Sequence, residues 1–97
     1  MTNIKDIRST LKNIKEKLKI KYGVSEIGIF GSYVKNEQDK TSDIDILVEF
    51  EKPIDLLTFV NLKYYLSELL NTNVDLVMKK ALKPKIAERI LKEVKIL

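Results

Sequence analysis

Ile4, Ile7, Leu11, Ile14 and Leu18 recur in steps of three and four. That spacing predicts an amphipathic helix with lysines and an arginine on its outer face. Thr2 or Asn3 is placed to cap its start, and Gly23 to close it. Residues 25–30 then read as a short strand built on Ile27, Ile29 and Phe30, with Gly31 at its end. Residues 33–42 are polar except for Tyr33 and Val34, and they predict a helical turn followed by a loop. In residues 43–50 the pattern changes to period two. Ile44, Ile46, Val48 and Phe50 face one way, and Asp43, Asp45, Leu47 and Glu49 the other. Glu51-Lys52-Pro53 breaks the strand. A helix follows over 55–70, with Leu56, Phe59, Val60, Leu66, Leu69 and Leu70 as its expected core residues. Asn71-Thr72-Asn73 turns the chain into a third strand, 74–78, and Pro84 opens a last helix striped by Ile86, Ile90 and Val94. The order is helix, strand, helical turn, strand, helix, strand, helix. It predicts an α/β fold in which helices cover a small mixed sheet.

Size and composition narrow what such a fold can do. Ninety-seven residues are expected to form one domain, residues 1–97, with a core two layers thick. Apolar residues at 44% and charged residues at 33% suit a globular chain. No apolar run approaches the roughly 18 residues of a membrane span. No basic-then-apolar leader opens the chain, so a cytoplasmic location is expected. The absence of cysteine and histidine removes disulfides and thiolate or imidazole zinc sites, but leaves an oxygen-ligated hard cation. Charge is unevenly spread. Residues 1–23 carry seven basic and two acidic side chains, and so do residues 79–97. Residues 24–78 carry four basic and ten acidic ones. This reads either as solvated lysine-rich helices or as a basic rim around an acidic floor.

The acidic centre has a definite arrangement. Gly31-Ser32 is followed by ten residues and then by Asp43-Ile44-Asp45, and Asp75 lies within the apolar strand Val74-Asp75-Leu76-Val77-Met78. Alternate strand residues point the same way with α-carbons roughly 6.5–7 Å apart, so Asp43 and Asp45 are able to converge on a cation. An ionised carboxylate in a strand is costly unless paired or metal-bound, and strands disfavour aspartate. Three such residues near one Gly-Ser turn therefore point to a divalent-metal site. Asp75 joins it if its strand pairs beside 43–50. Mg²⁺ favours this kind of set, a few carboxylates completed by substrate phosphates at about 2.0–2.1 Å. Backbone N–H groups at Gly31 and Ser32, with the Ser32 hydroxyl, suit terminal phosphate oxygens. Lys35 would add charge. Such a set fits metal-dependent nucleotidyl transfer, with two ions about 3.5–4 Å apart.

The run GSYVKNEQDKTSDID, then ILVEF, resembles the minimal nucleotidyltransferase family of the polymerase-beta superfamily. The segments PIDLLTFVNLKYYLSELLN, NVDLVM and ALKPKIAERIL look like their family counterparts, so the likeness spans most of the chain. The resemblance implies the family fold and places Gly31 and Ser32 at the triphosphate. It makes Asp43 and Asp45 ligands of two Mg²⁺ ions and Asp75 a ligand of the catalytic one. Many members are antitoxins whose partner is a HEPN ribonuclease toxin, which implies transfer of AMP from ATP to a tyrosine of that partner. Members often carry arginine where Lys35 stands and glycine where Asn36 stands; lysine keeps the charge but loses the bidentate fork.

Two other readings stay open on sequence alone. The domain could neutralise its partner by contact, as a weak or inactive enzyme, with Tyr64 and Tyr65 at the interface. Nucleic-acid binding is disfavoured by dispersed lysines, 7% aromatic content and no recognition motif. Pairing with a second copy of itself is compatible with the apolar helix surface.

Overall fold

A computed structural model describes residues 3–38 and 43–97; Thr2 and the end of the expected loop, 39–42, lie outside the described residues. The elements run α1 (Ile4–Tyr22), β1 (Val24–Phe30), α2 (Ser32–Lys35), β2 (Ile44–Phe50), α3 (Leu56–Leu70) and β3 (Val74–Met78). A 3-10 turn (Lys79–Ala81), α4 (Pro84–Glu93) and β4 (Lys95–Ile96) complete the chain. The expected order holds, and β4 is an addition to it.

Local chemistry sets the helix ends. The Asn3 side chain accepts the Asp6 N–H at 2.9 Å, and Gly23 closes α1 in the left-handed region. Asp55 caps α3 by accepting the Thr58 N–H at 2.7 Å. Hydrogen bonding from Thr58 holds the Asp55 carboxyl below its ordinary range. Pro84 takes the first turn of α4, where its missing N–H costs nothing.

The sheet is mixed, in the order β3-β2-β1-β4. β1 pairs antiparallel with β2 and with β4, whereas β2 and β3 run parallel. One face is apolar. Ile27, Ile29, Ile44, Ile46, Val48 and Val74 pack there against Ile7, Leu11 and Leu18 of α1 and Leu62, Leu66 and Leu70 of α3. The other face is split. At its centre Phe30 and Leu47 pack under Ile90 of α4 in a small second core. At one end it carries Asp45 and Asp75.

The α3 core differs from expectation. Leu56 is 77% exposed, whereas Leu62 is fully buried. The buried stripe follows steps of four, Leu62, Leu66 and Leu70. Apolar residues all around α3 hide which face turns inward. Tyr33, expected in a polar stretch, is buried in the main core. No helix of the described residues is long and apolar enough to cross a membrane.

Candidate active site

The strand directions bring the singled-out residues to one end of the sheet. β1 finishes at Phe30, which lies opposite Asp45 across the antiparallel pair. β2 and β3 begin there side by side, with Asp45 in register with Asp75. Adjacent strands sit about 4.8 Å apart, so these two carboxylates share a face and an end. Asp43, just ahead of β2, is exposed and lines a hollow of about 190 Å³ together with Asp75, Lys63, Tyr64 and Ser67.

Gly31 is locked to Asp45 by sterics. Its φ of 78° lies in the left-handed half of the map. A Cβ built on it would stand 2.0 Å from Asp45 Oδ2. Any side chain here would therefore displace the carboxylate. Ser32 opens α2 and Lys35 ends it. Asn36 follows with φ 59°. Among residues with a side chain, asparagine is one of the few that adopt this conformation readily.

Electrostatics marks Asp45 out. Burial first, then the Asp75 charge and a hydrogen bond with Asp75, and then Asp43 and Glu93, push its pKa up from 3.8 to about 6. Close carboxylates without a counter-charge favour holding a proton between them. Among the described residues, no three acidic side chains already converge at ligating distance on one point. A bound cation would offset the repulsion among these carboxylates. The donor set fits a hard divalent ion: all-oxygen, carboxylates at one sheet end, room left for water and phosphate.

Three features escaped the sequence reading. Glu93, at the end of α4, places Oε1 3.3 Å from the Gly31 amide nitrogen and Oε2 3.2 Å from Lys35 Nζ. Lys63 and Tyr64 flank the hollow beside Asp43 and Asp75. Ser67 accepts the Val74 N–H at 3.1 Å and donates to the Lys63 carbonyl at 2.9 Å, tying α3 to the strand that carries Asp75. None of these belongs to a local motif; each depends on how distant segments cross. The basic rim meets only part of its expectation. Lys12, Lys15 and Lys19 of α1 gather beside Val24 and Ser25, at the end of β1 remote from Gly31. Tyr65 is half-buried, its ring 6.2 Å from that of Tyr22, with Lys17 5.3 Å over its face. It is a packing residue rather than a free interface group.

Residues 11–97 match the nucleotidyltransferase domain family. The chain belongs to that family. A protein of Thermococcus cleftensis named protein adenylyltransferase MntA is 49% identical over 94 residues, covering 97% of this chain and 95% of its own length. A solved structure described as a candidate minimal nucleotidyltransferase superposes with a TM-score of 0.84 at 31% identity, covering 99% of this chain and 97% of that one. A toxin–antitoxin structure with AMP-PNP superposes with a TM-score of 0.73 at 28% identity, covering 88% of this chain and 70% of that one. The fold is thus that of the minimal nucleotidyltransferases, as the family resemblance implied. This nucleotidyltransferase domain carries its two motif segments at the neighbouring ends of the antiparallel strands β1 and β2, so that chain separation becomes spatial contact.

Proposed function

We propose that this nucleotidyltransferase is an adenylyltransferase that moves AMP from ATP to a tyrosine hydroxyl of a partner protein, a HEPN-type toxin for which it is the antitoxin. The single observation that carries the site is the registration of Asp45 with Asp75 on one face, directly beside a Gly31 that tolerates no side chain. The acceptor class rests on the 49% identity to a named protein adenylyltransferase. The partner class rests on the likeness to a toxin–antitoxin structure with an ATP analogue.

In this reading Asp43 and Asp45 would hold two Mg²⁺ ions, and Asp75 would hold the catalytic one. When bound, the metal neutralises phosphate charge and acidifies the acceptor hydroxyl. The Gly31 N–H, Ser32 and Lys35 bind triphosphate oxygens and steady the charge that grows on pyrophosphate. The acceptor oxygen forms a bond to the α-phosphorus while the bond from that phosphorus to the bridging oxygen breaks, and pyrophosphate leaves. The hydroxyl proton passes to the Asp75 carboxylate, since the chain has no histidine to take it. Tyr64 and Lys63 lie on the wall where the nucleoside or the incoming acceptor enters. A cytoplasmic setting, where ATP and Mg²⁺ are both supplied, belongs to the same reading.

Incubation with α-labelled ATP, Mg²⁺ and the co-encoded partner tests this. The wild-type chain should label the partner, and Asp45→Asn should lose at least about 10³-fold of the rate, the scale of losing transition-state charge stabilisation. Neutralisation of the partner without label, undiminished in Asp45→Asn, would instead establish inhibition by contact.

A further inference from the structure

Glu93 sits where the candidate triphosphate is expected to bind. Its two carboxylate oxygens divide between the Gly31 amide at 3.3 Å and the Lys35 ammonium at 3.2 Å. We propose that Glu93 is an internal stand-in for phosphate, seated on the Gly31 and Lys35 donors, and that the nucleotide must displace it to bind. The proposal rests on the nucleotide reading of the Gly31–Lys35 segment given above and adds a competitor to it.

Four observations carry it. A backbone amide has one hydrogen to give, so Gly31 donates fully either to Glu93 or to a phosphate oxygen. Charge selects the same donors for both groups, because carboxylate and phosphate are each anionic and each draws a lysine. The Glu93 side chain is only 19% exposed, against 50% for that of Lys35, so the carboxylate lies inside the site rather than on its rim. It also approaches Asp45 closely enough for its charge to be felt there. Among the described residues, two donors hold this carboxylate against the like charge beside it. A metal-bound triphosphate brings more negative charge to those donors than one carboxylate does, and so outcompetes it. The helix that bears Glu93 allows the exchange. α4 is anchored on the sheet through Ile90, and β4 adds only two paired residues. In this proposal the exchange is a rotation of the Glu93 side chain, with α4 and β4 left in place.

The test is binding of a non-hydrolysable ATP analogue with Mg²⁺ to the wild-type chain, Glu93→Gln and Glu93→Ala, measured by calorimetry. Circular dichroism and melting confirm that each variant is folded, and Glu93→Gln keeps the shape of the side chain. Removing the competing ion pair should tighten binding roughly two- to fivefold, more for alanine than for glutamine. The Gly31 amide resonance should move in both variants before any ligand is added. Equal or weaker binding by folded variants, with wild-type binding intact, would overturn the competitor and leave the nucleotide site standing. No binding by any of the three would overturn the nucleotide reading and the competitor together.

Discussion

Gly31 and Asp45 meet at the candidate site, and both were visible as motif positions before their environment was. Gly31 was legible as a turn. Its contact with Asp45 was not, because it depends on β1 and β2 pairing. Gly31→Ala must either strain φ 78° or push a Cβ through a gap of 2.0 Å. A cost of about 1–3 kcal/mol is expected, read as a lower urea midpoint, together with loss of transfer. Asp45 predicts a pH dependence. In the unfolded chain its carboxyl titrates near 3.8, and in the folded chain near 6. A folded pKa above the unfolded one contributes stability that is fully present below about 3.8 and is lost as pH rises through about 6. That displacement is worth at most about 3 kcal/mol, and solvent around a half-exposed side chain reduces it to about 1–2 kcal/mol. Asp45→Asn stays neutral throughout. The metal-free variant should therefore melt roughly 4–10 °C above the wild-type chain near pH 7.5, with the gain gone near pH 4. Calorimetry without divalent ions checks this, and an equal gain at both values would contradict it. A substitution that abolishes transfer while stabilising the fold is the signature of a residue held against its own electrostatics.

At the scale of elements, periodicity did most of the work where contrast was high. α1 alternates apolar and charged residues, and its buried Ile7, Leu11 and Leu18 are the ones expected. β2 shows the two faces foreseen, with Leu47 on the aspartate side meeting Phe30 and Ile90. α3 defeated the same reasoning, since its leucines, tyrosines and phenylalanine leave little polar face to read against. β4 escaped entirely. Two residues, one of them lysine, carry no strand period, and their pairing with Gly28 and Ile29 is a long-range event. Gly28 is the trace it left, because a Cβ there would come within 2.7 Å of Val94. Ser67 matters at this scale because it fastens α3 to the start of β3. Ser67→Ala strands a part-buried Val74 N–H, which costs about 1–2 kcal/mol. The melting point should fall by roughly 4–10 °C, with Asp75 less firmly placed. A thermal melt alongside transfer kinetics reads both effects, and an unchanged melt would show that water replaces the hydroxyl at no cost.

At the scale of the whole molecule, the topology explains how so short a chain gathers the candidate site residues at one place. A strand that ends at Gly31 and two that begin near Asp43 and Asp75 concentrate donors and carboxylates at one end. Every site residue singled out from the sequence lies at that end. What sequence could not supply was the inward-facing contribution of α4, because nothing local tells which way that helix crosses the sheet. The same limit applied to α1, whose lysines read either as a solvated face or as a rim to the acidic floor, and of which Lys12, Lys15 and Lys19 collect at the opposite end. Exposed Leu56 and Leu57 and an apolar groove of about 490 Å³ beside Phe59 and Met78 lie apart from the Asp43–Asp75 hollow. The most direct test is Mn²⁺ titration in the presence of a non-hydrolysable ATP analogue, followed by paramagnetic broadening of backbone amides. Selective loss of signal at Gly31, Ser32, Asp43, Asp45 and Asp75, abolished in Asp43→Asn with Asp45→Asn, is the predicted result. Broadening centred on any other surface, or unchanged in that double variant, would contradict it.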